Sequence, residues 1–157
     1  YERLDAGFNK VVDYLESGKI VGWFQGGAEF GPRALGNRSI LCAPHPASMK
    51  DHINAKVKFR EEFRPFAPMV LDEDTHEYFD LSQESPHMLI ATKVLEHRVQ
   101  DVPAITHVDM SARVQTVTRD SNPRVYGLLS CFKERTGCSV LLKEYSLPAQ
   151  GIVVVPS

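Results

Sequence analysis

Long hydrophobic runs are missing from this sequence: no stretch approaches the roughly 20 apolar residues that a membrane-spanning helix requires. Cysteine is scarce. Cys42, Cys131 and Cys138 are the whole supply, far from any metal-finger spacing, so buried thiols in a reducing cytoplasm are expected. An excess of one charge is lacking as well. With 18 Lys/Arg against 20 Asp/Glu the net charge is -2, which removes the global signal of a nucleic-acid or membrane-surface binder. No repeat, low-complexity tract or linker stands out. An initiator Met is also absent, and the chain opens directly in helix-like sequence, which points to a segment of a longer protein.

What remains is an ordinary composition, 43% hydrophobic and 24% charged over 157 residues, enough for one domain with a sizeable core. Leu4, Phe8, Val11, Val12 and Leu15 recur at helical spacing over 3–17, and Gly18 is a natural stop. Ile20 to Phe24 reads as a buried strand that includes the single tryptophan, Trp23. Ser39 to Ala43 is a second strand, and Ala47 to Val57 a helix. An extended prolyl segment, Phe63 to Pro68, leads into Met69-Val70-Leu71. Residues 72–82 are acidic and turn-like, and Met88 to Leu95 is a strand. Ala104 to Met110 and Ala112 to Val117 each alternate as half-buried strands do. Asn122-Pro123 caps and opens a helix that Gly137 ends. Short strands over 139–142 and 152–155 complete an α/β or α+β domain around one sheet.

The chemistry concentrates between the first two strands, in Gly26-Gly27-Ala28-Glu29-Phe30-Gly31-Pro32-Arg33-Ala34-Leu35-Gly36-Asn37-Arg38. Glycine lets backbone approach a ligand closely, and arginine offers a planar fork of donors that matches phosphate or carboxylate. A solvated surface turn, with Glu29 paired to Arg33, reads equally well from the loop alone. Residues 31–64 carry seven Lys/Arg against three Asp/Glu on an otherwise acidic chain. Such a compact basic focus suits a small anion better than a polyanion.

Four ordered blocks then carry a resemblance over about residues 10–142. They are Glu29 to Ser39, Met49-Lys50-Asp51, Lys58 to Pro68, and Thr106 to Thr116. Together they closely resemble the C-terminal domain of nodulation-protein-type O-carbamoyltransferases. The resemblance implies a YrdC-like fold, a twisted mixed sheet flanked by helices in a single domain. It implies that ATP and carbamoyl phosphate are converted to carbamoyl adenylate, with Mg2+ as cofactor. A separate N-terminal domain, which carries an iron site and is absent from this segment, would then pass the carbamoyl group to a hydroxyl of a sugar or natural product. The whole of 1–157 would be the adenylate-forming domain. Membrane is not an expected partner, and nucleic acid is disfavoured. The alternative from a different class is a non-catalytic nucleotide- or RNA-binding module of the same fold.

By motif match, Lys58, Arg64 and Arg113 are assigned to the phosphates as catalytic cations, and Arg33 and Arg38 to the same site. Gln115 is placed among the binding residues. His107 and Asp109 are read either as ligand contacts, with Asp109 supporting magnesium, or as a core histidine bonded to a neighbouring carboxylate. Ser85 sits either near the nucleotide or in a plain turn. Arg60 and Glu61 are expected to form a structural pair. The sequence departs from the family pattern over 143–151, where Lys143 to Gly151 replaces the small polar residues expected to line part of the nucleotide pocket.

Overall fold

The structure, a computed structural model, describes residues 7–53, 66–145 and 153–155. Its hydrophobic stretches settle into a six-stranded mixed sheet. In chain order the strands are β1 (Val21–Phe24), β2 (Arg38–Cys42), β3 (Ala67–Leu71), β4 (Ala91–Lys93), β5 (Ser111–Arg113), β6 (Gln115–Val117), β7 (Val140–Tyr145) and β8 (Val153–Val155). The large sheet runs β6-β3-β7-β2-β1-β8, while β4 and β5 form a separate two-stranded sheet. Its parallel pairs are β3 with β6 and β1 with β8; the other pairs are antiparallel. Central β7 is apolar without alternation at Val140-Leu141-Leu142, each fully buried, as expected where both faces are covered.

Helices α1 (Asn9–Glu16), α2 (Met49–Ile53), α3 (Thr75–Tyr78) and α4 (Pro123–Thr136) accompany the sheet. The longest, α4, is specified locally at both ends. Asn122 Oδ1 accepts from the backbone N–H of Val125 at 3.1 Å, Pro123 fills the first turn, and Gly137 closes it at φ 76°, the left-handed conformation that glycine takes without penalty. Val125, Leu128, Leu129 and Phe132 line its buried stripe. They join Val11, Val12 and Leu15 of α1 and the sheet in one core. Among the described residues no helix is long and apolar enough to cross a membrane.

Four expectations need correction. Met88 to Leu95 is not a strand throughout: Met88 stands at φ 57° and β4 covers only Ala91–Lys93. Ala104 to Met110 is not a strand. Pro103 opens a 3-10 turn over Pro103–Ile105, and a second turn follows, with Met110 at φ 59° and its N–H on the His107 carbonyl at 2.9 Å. Residues 112–117 are not one strand either: buried Val114 separates β5, paired with β4, from β6, paired with β3. Arg113 and Gln115 therefore belong to different sheets. Lastly, the acidic 72–82 segment holds a 3-10 turn and α3. Trp23 is buried as expected, whereas Phe24 is substantially exposed. Cys42 and Cys138 are buried thiols, and Cys131 is half-buried.

β1 and β2 are the arms of one hairpin, with Phe24 opposite Arg38, so the Gly/Arg-rich stretch is its connection, residues 25–37. Hairpin loops of that length are uncommon unless they serve a function. Gly36 sits at φ 108°, and a Cβ there would meet Val125 Cγ2 at 2.9 Å and Asn122 Nδ2 at 3.0 Å. Gly36→Ala is accordingly expected to destabilise the protein by about 2–3 kcal/mol, read in thermal denaturation as a fall of roughly 5–10 °C in Tm; an unchanged Tm would refute this seating of the loop.

Candidate functional site

The loop is held by its own side chains and by the sheet. Glu29 turns inward, and its Oε1 accepts from the backbone N–H groups of Leu35 and Asn37, each at 2.7 Å. Burial opposes the Glu29 charge, but these N–H donors outweigh it and hold the carboxyl below its ordinary range. Arg38 lies against the same residue, its Nε 3.4 Å from Oε2 and its Nη2 donating to the Glu29 carbonyl at 3.3 Å. The partner of Glu29 is thus Arg38, not Arg33. At the loop's mouth, Gln25 Nε2 donates to Asn37 Oδ1 at 3.1 Å and to Asn122 Oδ1 at 2.7 Å, and Gln25 Oε1 accepts from Trp23 Nε1 at 3.1 Å.

The loop's outer limb is fastened to the sheet. Gln115 Nε2 donates to the Leu35 carbonyl at 2.9 Å, and Lys143 Nζ donates to the Ala34 carbonyl at 2.8 Å and to Gln115 Oε1. Two loop carbonyls find donors this way, that of buried Ala34 and that of half-buried Leu35; a buried carbonyl left without a donor costs about 1–3 kcal/mol. The seating leaves Pro32, Arg33 and Ala34 as one wall of a cavity of about 500 Å³. Arg113, Ser111 and Ala112 of β5, together with His107, form another. The start of β3, with Phe66 and Ala67, and the end of β7, with Lys143 and Glu144, close it, and Met88 and Ala91 complete the lining.

Arg33 and Arg113, eighty positions apart in the chain, therefore face one space. Arg113 is exposed and Arg33 half-buried, so both guanidinium groups remain hydrated on part of their surface. Lys143 differs: it is 1% exposed, and burial pushes its amine down to about 7, with Arg33 acting in the same sense and Glu29 and Glu144 opposing. His107 is half-buried in the lining.

Other expected site residues sit elsewhere. Asp109 Oδ1 accepts from the Ser111 N–H at 3.0 Å and from Ser111 Oγ at 2.6 Å, its carbonyl accepts from Lys93 Nζ at 2.6 Å, and these bonds to Ser111 hold its carboxyl below the usual range. It shapes the turn that presents His107. Ser85 is 3% exposed; its hydroxyl donates to the Val114 carbonyl at 2.9 Å and its N–H to Thr116 Oγ1 at 2.9 Å, which docks the 85 turn on β6. Gln115 serves the cavity from behind, through the loop. Lys58, Arg64, Arg60 and Glu61 lie outside the described residues.

Residues 12–156 match the family model described as the carbamoyltransferase C-terminus. The chain belongs to that family. It is 47% identical over 144 residues to the nodulation protein NolO of Bradyrhizobium diazoefficiens, a match over 90% of this chain and 26% of the relative. It is likewise 47% identical over 127 residues to the 3'-hydroxymethylcephem-O-carbamoyltransferase of Streptomyces clavuligerus, over 81% of this chain and 24% of that one. The chain thus spans about a quarter of the length of these curated relatives. Full-length HypF, crystallised in a phosphate- and nucleotide-bound form, superposes with a TM-score of 0.62 at 18% identity, over 91% of this chain and 17% of that one. That likeness is one of fold, and the α+β architecture is the YrdC-like one.

Within this carbamoyltransferase C-terminal domain, Lys143 is the cavity residue that sequence reading passed over. Its signal was a lysine directly continuing the apolar run Val140-Leu141-Leu142, where a solvated strand end is the usual meaning. Phe66 and Met88 went unassigned because apolar cavity walls carry no pattern of their own.

Glu29→Ala is expected to cost about 1–3 kcal/mol at neutral pH, from two half-buried N–H groups left without their acceptor. Because folding holds the Glu29 carboxyl low, the wild-type advantage is present above the ordinary carboxylate range and is lost as pH falls through the folded value. Denaturant unfolding at neutral and acid pH measures it; a difference independent of pH would contradict the loop brace.

Proposed function

We propose that this chain is the part of an O-carbamoyltransferase that takes ATP and carbamoyl phosphate and forms carbamoyl adenylate. The observation that carries the reading is the meeting of Arg33, Arg113 and Lys143, from three distant segments, around one cavity in a chain of this family. Adenylate formation joins a carbamate oxygen to the α-phosphorus while the bond from that phosphorus to pyrophosphate breaks; orthophosphate is the other product, from carbamoyl phosphate and water. The reaction gathers negative charge, so it calls for positioned cations more than for a protein nucleophile. Arginine at positions 33 and 113 supplies bidentate donors, and the apolar wall of Phe66, Ala67, Met88 and Ala91 limits the water that would screen them. Lys58 and Arg64 are assigned to the same phosphates by the motif match.

Among the described residues no group of three or more His, Cys, Asp or Glu could hold a metal ion. Mg2+ would enter on the phosphates of ATP, as that ion commonly does, and would there neutralise the leaving pyrophosphate; no step is assigned to a protein-held metal. Transfer to a hydroxyl acceptor, a sugar or natural product, falls to an N-terminal domain of the longer protein, where iron would also reside.

The protein given ATP, Mg2+ and carbamoyl phosphate, joined to its N-terminal domain if needed, is expected to release pyrophosphate. Arg113→Ala and Lys58→Ala should each reduce the rate about a hundredfold or more, and Arg33→Ala by at least tenfold, with the fold intact by circular dichroism. Absence of pyrophosphate from the joined protein would remove the reading.

A further inference from the structure

Lys143 stands out among the charged groups of the cavity. Arg33 and Arg113 keep part of their hydration, whereas the Lys143 amine is enclosed and its hydrogen-bond partners, Ala34 carbonyl and Gln115 Oε1, are both uncharged. Two acceptors are what a neutral amine, with two N–H groups, can satisfy; an ammonium brings a third N–H. Among the described residues, the charged groups around it are Arg33 and Glu29 on the loop, Glu144 beside it on β7, and Arg113 and His107 across the cavity. None of these is a carboxylate in direct contact with Nζ that would hold a permanent charge there.

We propose that Lys143 is an anion-binding residue of this cavity whose charge is completed by the guest: an entering phosphate or sulfate group is accompanied by one proton onto the Lys143 amine. The enclosed position is what couples the two events. An ammonium in the empty site suffers the full cost of desolvation, which a bound anion offsets by direct attraction in a medium of low polarity. Without a guest, the same desolvation pushes the Lys143 amine down to about 7. Among the described residues, the cavity would therefore hold two fixed cations at rest, Arg33 and Arg113, and a third, Lys143, when loaded. The inference rests on the anionic-ligand reading given above, and it adds a residue in the segment where the sequence leaves the family pattern.

Sulfate is a suitable probe because it has no titratable proton near neutrality. Calorimetric titration of the protein with sulfate at pH 8, in Tris and in HEPES, gives the number of protons taken up from the difference in buffer ionisation heat. Wild type is expected to take up about 0.5–0.9 proton, and to bind sulfate about fivefold more weakly at pH 8 than at pH 7. Lys143→Met should abolish the uptake and the pH dependence, whereas Lys143→Arg should bind at both pH values with no uptake, since its charge is permanent. His107→Gln should keep the uptake. Sulfate binding by wild type without proton uptake would overturn this proposal alone, as would uptake that survives in Lys143→Met. No sulfate binding at either pH would overturn it together with the anion site itself.

Discussion

The hold of the sheet on the arginine loop is the constraint from which the rest follows. Lys143 and Gln115, on strands flanking β3, reach the carbonyls of Ala34 and Leu35 and also bond to each other. These bonds span sequence separations of 109 and 80 residues, so the placement of the loop's outer limb depends on β6 and β7. Glu29 organises the loop from within by taking the Leu35 and Asn37 N–H groups. Between the two braces Arg33 is left facing inward, the one loop arginine in the cavity lining; Arg38 is spent on the brace.

A phosphorylated guest, as proposed, would place two opposing requirements on this cavity. Attraction between fixed cations and a phosphorylated guest grows as water is excluded, but so does the repulsion among the cations before the guest arrives. The lining divides the problem. Arg33 and Arg113 stay partly hydrated, Glu144 supplies a counter-charge, and burial pushes the enclosed Lys143 amine down to about 7. Apolar Phe66, Met88 and the alanines then confine the field without adding groups that compete for hydrogen bonds.

Local signals in the sequence carried much of the fold. The Asn122-Pro123 cap, the Gly137 stop and the apolar runs of β1, β2 and β7 each act over a few residues, and each element lies where those residues place it. Ala104 to Met110 misled because its alternation imitates a strand; Pro103, the turn-forming carboxylate of Asp109 and the left-handed Met110 decide otherwise. Arg113 and Gln115 looked like neighbours on one face because no periodicity marks the change of sheet at Val114. The four motif blocks identified the family and picked out Arg33, Arg113 and His107, which line the cavity. The inward partner of Arg38 and the burial of Lys143 depend on tertiary packing, which residue spacing does not encode.

A crystal structure of the protein with a bound ATP analogue tests the central claim most directly. The account predicts phosphate oxygens within hydrogen-bonding distance of both Arg33 and Arg113, with Lys143 Nζ close behind them. A nucleotide bound on another face, with these three side chains apart in solvent, would contradict it.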